Sequence, residues 1–144
     1  MKVSELRFGT LLKVREHQKR IAQQELSKIR NEKESAQSEL SELDKVQKTE
    51  MNQSIQKEKA KATDMQTSRA FIRRLSREIE QQQKKVEDIT SQEEDKRVEV
   101  VERTQEKEMI EQLEDKYQTH LAKERDRKEQ RLVDILAQRV KSSI

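Results

Sequence analysis

No proline interrupts this 144-residue chain, and Gly9 is its only glycine. Compact layered folds need repeated turns, and glycine and proline are the residues that make turns cheaply. Their near-absence restricts the fold to very few, very long elements. Composition then decides between helix and disorder. Charged residues make up 42% of the chain and hydrophobic ones 30%, with two Phe, one Tyr and no Trp. Such a chain cannot fill a large compact core. High net charge favours disorder, yet here 32 basic residues stand against 29 acidic ones. The abundance of Glu, Lys, Arg, Gln, Leu and Ala favours helix. One or two very long helices are therefore predicted.

The chain has no cysteine, which removes disulfides, thiolate nucleophiles and cysteine-based metal sites. The opening Met1-Lys2-Val3-Ser4-Glu5-Leu6 lacks the apolar stretch of a secretion signal. No apolar run approaches the ~18 residues of a membrane span. A soluble, cytoplasmic protein is expected. His17 and His120 are far apart in sequence and read as solvated helix residues. Carboxylates are plentiful, but general acid–base work needs them in a water-excluded pocket, which two helices do not offer. Gly9 stands alone, so there is no phosphate-cradling loop. No enzyme activity, cofactor, metal or small-molecule substrate is expected.

The apolar residues recur in alternating steps of four and three, the seam of one helix packing on another. In the first half the seam reads Phe8, Leu12, Arg15, Lys19, Ala22, Leu26, Ile29, Lys33, Ala36, Leu40, Leu43 and Gln47. It continues one residue out of phase through Met51, Ile55, Glu58, Ala62 and Met65, a stutter of the kind that changes local supercoiling. In the second half it reads Ile72, Leu75, Ile79, Gln82, Val86, Ile89, Glu93, Lys96 and Val100. It resumes through Ile110, Leu113, Tyr117, Leu121, Lys128, Leu132, Ile135 and Leu136. The polar positions within it predict weaker packing than in a leucine zipper.

An all-α, antiparallel two-helix coiled-coil hairpin satisfies this pattern as one domain over residues 1–144. Helix 1 is expected over 5–62, a turn over 63–68 and helix 2 over 69–141. The turn is placed within Ala60–Arg69 because Asp64, Thr67 and Ser68 can cap a helix start and because the seam loses phase between Met65 and Ile72. Folding back brings the two ends together. Both carry surplus apolar residues: Leu11, Val14 and Ile21 beside Phe8, Leu12 and Ala22, and Leu132, Val133, Ile135, Leu136, Val140 and Ile144. The ends are also basic, with eight basic and three acidic residues over 1–30 and seven against four over 119–144, whereas residues 91–118 hold five against ten. A basic, apolar docking end is expected, with Phe8 and Leu11 functional in it.

Three stretches carry a family resemblance. Leu6-Arg7-Phe8-Gly9-Thr10-Leu11-Leu12-Lys13-Val14-Arg15-Glu16 resembles the N-terminal motif of the FliJ family, coiled-coil components of the bacterial flagellar export apparatus. Phe71-Ile72-Arg73-Arg74-Leu75-Ser76-Arg77-Glu78-Ile79-Glu80-Gln81 is similar to the start of that family's second helix. Residues 124–139 resemble its C-terminal block, although Ile135 stands where a Glu usually follows Asp134. The resemblance implies a stalk like that of rotary ATPases, whose docking end (Phe8, Leu11, Leu12, Arg15, Leu132, Asp134, Ile135, Arg139) enters the ring of a hexameric export ATPase. It further implies contact with the cytoplasmic linker of a membrane export gate through Leu43, Val46, Phe71, Leu75 and Gln82. Val46 and Gln82 match the family by place but not by residue type. Exchange of export chaperones is also implied, as is a peripheral position on the inner membrane at the flagellar base.

Other readings stay open at this level. They are a continuous helix dimerising in trans, a stalk protein of a virulence-type secretion system, and a nucleic-acid or anionic-lipid binder acting through Arg69, Arg73, Arg74 and Arg77. Nucleic acid is not expected, because that cluster lacks interleaved aromatics. Arg74 and Glu78 are spaced for an i,i+4 pair. Phe71 lies off the seam and reads equally as local packing or as a partner contact.

Overall fold

The computed structural model describes residues 2–56 and 62–142, with side chains from Phe8 onward. It consists of α1 (Lys2–Gln56) and α2 (Ala62–Ser142), without a strand among the described residues. The expected all-helical, antiparallel pairing is observed. The boundary between the helices is not where it was expected. Residues 63–68 lie inside α2, while Ala60 and Lys61 fall outside the described residues. Of the candidate capping groups, Asp64 lies in the first turn of α2, while Thr67 and Ser68 are engaged elsewhere. The Thr67 hydroxyl donates to the Thr63 carbonyl at 2.9 Å, within the helix. Ser68 Oγ is 2.5 Å from Ser54 Oγ and donates to Glu50 at 3.0 Å, across the hairpin. Side chains that bond back to their own helix or across to the other no longer compete with helical backbone bonds.

The contacts group into two units. In residues 20–101 the helices form an antiparallel hairpin. Glu25 meets Lys96, Lys33 meets Glu93, Glu39 meets Gln82, and Gln47 meets Ser76. Its buried core is Ala22, Leu26, Ala36, Leu75 and Ile89, all seam positions. Two of the five are alanines, so the helices approach closely and little apolar volume is enclosed. Burying a Leu or Ile side chain contributes about 1.5–3 kcal/mol, and among the described residues only Leu26, Leu75 and Ile89 are buried, none of them completely.

Polar seam residues supply the rest. The Gln82 amide donates to the Ala36 carbonyl at 3.0 Å and to Glu39 at 3.1 Å. The Gln47 amide donates to Ser76 Oγ at 2.6 Å and to the Ile72 carbonyl at 3.4 Å. Lys33 Nζ is 3.1 Å from Glu93, and Lys96 bridges Glu25 and Glu99. These hydrogen bonds, with Glu25 first, raise the Lys96 ammonium above its ordinary 10.5. Arg97 bonds Glu94 at 2.7 Å and holds that carboxyl below its ordinary 4.5. Each cross-helix bond needs one particular register, so the polar positions select the pairing as well as thinning the core.

The second unit comprises residues 1–19 and 102–144. Here α1 again runs antiparallel to α2. Phe8 and Tyr117 lie with ring centroids 5.7 Å apart at 45°. Arg15 meets Glu106 and Glu16 meets Lys107. No described side chain of this unit is fully buried. Phe8, opposite Tyr117, lies in the second turn of α1 as described from Lys2. From Ala122 to Ser142 every residue of α2 is exposed. No described helix is long and apolar enough to cross a membrane.

Candidate functional site

The two halves of the expected docking end are not brought together. Phe8 is half-buried against Tyr117, and Leu12 is half-buried beside it. Arg15 turns inward, with Nη1 3.0 Å from Glu106 and 3.1 Å from Gln18 Oε1. Leu11 alone of the α1 group is exposed. Leu132, Asp134, Ile135 and Arg139 lie on the overhanging part of α2, beginning roughly 22 Å beyond Tyr117 at 1.5 Å per residue. Gln130 donates to Asp134 at 3.1 Å, and the Arg139 carbonyl accepts from Ser142. The separation follows from helix lengths of 55 and 81 residues. With residues 63–68 inside α2, that helix begins earlier than expected.

That overhang is amphipathic. Leu132, Leu136 and Val140 are 60%, 58% and 61% exposed, with Val133 and Ile135 beside them. Residues 123–141 also carry seven basic and four acidic side chains. Five large aliphatic side chains on 20 residues of helix amount to an exposed apolar patch of the kind that marks a binding surface. In sequence they looked like a continuation of the seam. The register shows that no α1 residue lies opposite them.

The expected gate-contact residues divide by depth. Leu75 is 5% exposed and belongs to the core. Leu43 is half-buried, and the Gln82 amide is taken up by Ala36 and Glu39. Only Val46 and Phe71 present much surface, 47% and 39% exposed. Phe71 borders an open groove of about 620 Å³, lined also by Met51, Ile55, Met65 and Ile72. The methionines and Ile55 here were read as seam residues. The hydrophobic period continues there, but Met51, Ile55 and Met65 stay exposed, and the contacts across the helices are polar ones from Ser68 to Ser54 and Glu50.

The charged clusters resolve more simply. Arg74 pairs with Glu78 at 3.4 Å, as its spacing implied. His120 Nε2 lies 3.2 Å from Glu124. Among the described residues no group of three or more His, Cys, Asp or Glu could hold a metal ion.

Two long helices with a thin seam, register-setting polar bonds and apolar surface at one helix end define a coiled-coil-like helical hairpin protein. Residues 4–142 match the family model of the flagellar FliJ protein, nearly the whole chain, and the chain belongs to that family. Membership makes it a component of the flagellar export apparatus, within a non-catalytic family. No curated protein and no solved structure matches the chain.

Proposed function

We propose that this protein is a non-enzymatic stalk of flagellar protein export, coupling the export ATPase ring to the export gate and exchanging export chaperones. The observation that carries this reading is the α2 overhang, an exposed amphipathic helix with nothing of α1 beside it. An isolated helix of about 20 residues is only marginally stable in water, and most helical stability in proteins comes from covering the apolar face. A single helix of this kind suits docking into the centre of an ATPase ring, with its apolar stripe covered and its basic side chains free to pair with acidic groups of the partner.

The gate contact is assigned to Val46 and Phe71, backed by Leu43, Leu75 and Gln82, which hold the helices in register beneath them. An exposed aromatic beside an apolar groove is a common anchor for protein association. Work at both faces keeps the protein at the inner membrane by contact with the gate. The deciding experiment is a pull-down of purified full-length chain with the purified hexameric export ATPase. Co-purification and stimulated ATP hydrolysis are expected. Absence of both in a helical, monodisperse preparation rejects the stalk reading.

A further inference from the structure

In the unit of residues 1–19 and 102–144, neighbouring residues carry opposite charges in opposite order on the two helices. Arg15 and Glu16 of α1 face Glu106 and Lys107 of α2. Arg15 Nη1 is 3.0 Å from Glu106 Oε2, and Lys107 Nζ is 2.5 Å from Glu16 Oε2. Adjacent residues on a helix point about 100° apart, so Arg15 lies on the α1 seam, Glu16 flanks it, and the two pairs cross the helices at different angles. Each is braced along α2, by Arg103 on Glu106 at 3.3 Å and by Glu111 on Lys107 at 3.6 Å. Next to them along the helices lie Leu12 and Ile110, half-buried, and about two turns further on is the Phe8–Tyr117 ring contact.

The bonds that close this unit are the kind that water and salt weaken. The four side chains retain 25–41% exposure, although the Glu16 Oε2 atom itself is covered, and ion pairs between side chains so exposed contribute little and are screened. No described side chain here is buried to reinforce them. Local opening is easiest where few apolar contacts and exposed polar bonds hold a segment.

We propose that the Arg15–Glu106 and Glu16–Lys107 pairs are an ionic latch on a two-state end of the hairpin. Closed, they hold α1 over the seam. Open, α1 and α2 part over roughly residues 8–19 and 103–117, and Phe8, Leu12, Ile110 and Tyr117 become accessible. Any ligand that prefers the open form shifts this balance by its difference in affinity. The latch rests on the geometry of these side chains alone and stands whether or not the overhang docks on an ATPase.

The natural chain has no cysteine, so pairs of introduced cysteines take spin labels uniquely. Distances are read by pulsed electron–electron resonance on the full chain labelled at Lys13→Cys with Glu108→Cys, all four labelled positions in this test being exposed. A reference pair, Asn31→Cys with Asp88→Cys, reports on the buried-core unit. At low salt a single short, narrow 13/108 distribution is expected. At about 1 M salt, where the Debye length is ~3 Å, a longer population grows roughly two- to fivefold. Arg15→Glu produces the same population at low salt, and adding Glu106→Arg returns it to the short distance. The 31/88 distances stay narrow throughout. An unchanged 13/108 distribution in Arg15→Glu overturns the proposal. Failure of the swapped pair to restore closure overturns it too, as does broadening of the 31/88 pair in step, which would mean global melting.

Discussion

The same helix pair is held together differently in its two units. Residues 20–101 enclose all five buried side chains and add amide and ammonium bonds that work in one register only. Residues 1–19 with 102–142 have half-buried seam residues, one aromatic contact and two flanking ion pairs. They also contain the overhang, where the seam pattern persists with nothing opposite it. Identical periodicity thus serves as core in one place and as exposed surface in another. What separates them is whether a partner helix reaches that far.

The sharpest way to break this comparison is to make one substitution in both units. Leu75→Ala should lower stability by about 2 kcal/mol or more, through lost burial and a partial cavity. Leu136→Ala should change it by no more than about 0.5 kcal/mol. Thermal melts followed by circular dichroism read both, and equal losses would refute the division. The overhang's role is tested by Leu132→Asp with Leu136→Asp. Stimulation of the export ATPase should fall on the order of tenfold, the size of a lost binding anchor, with helicity unchanged. Retained stimulation would leave the overhang without its assigned partner.

Smaller effects sharpen the electrostatic side. Lys96 and Lys107 are raised above 10.5, chiefly by hydrogen bonds to Glu25 and Glu16. Their contribution is complete below the unfolded value and is lost as pH rises through the raised folded one. Glu94 is depressed below 4.5 by Arg97. Its contribution is complete above 4.5 and is lost as pH falls through the lowered value. Melting temperature should therefore be flat across neutral pH and decline at both extremes. A decline between pH 6 and 9 would contradict these assignments. A further small effect is expected at Gly9, where an added Cβ meets nothing within 4 Å. Gly9→Ala should stabilise α1 by about 0.5–1 kcal/mol, seen as a slightly higher melting point.

Much of this fold could be read from residue spacing, because a two-helix seam depends on little else. Every buried residue was already a seam position in the sequence, and Arg74–Glu78 followed from its four-residue offset. Partners across the hairpin were not legible. Nothing in the order of residues links Gln82 to Ala36 or Arg15 to Glu106 until the helix boundary is known. That boundary was misplaced because no glycine or proline marks it and because Thr67 and Ser68 bond within and across helices instead of capping. An error of several residues there doubles at the far end. It accounts for reading Phe8, Leu12 and Arg15 as one site with Leu132 and Ile135.

The two buried alanines have a consequence for how such a chain changes over generations. Ala22 and Ala36 set the gap between the helices of the core unit, so a larger side chain at either pushes the pair apart. The half-buried seam positions tolerate change less narrowly, and the solvent-facing polar positions accept polar replacement at small penalty. Drift is therefore limited most tightly at the two alanines, less at the rest of the seam and least on the polar faces. Selection on this chain acts less on what its residues are than on where the small and the aliphatic ones fall.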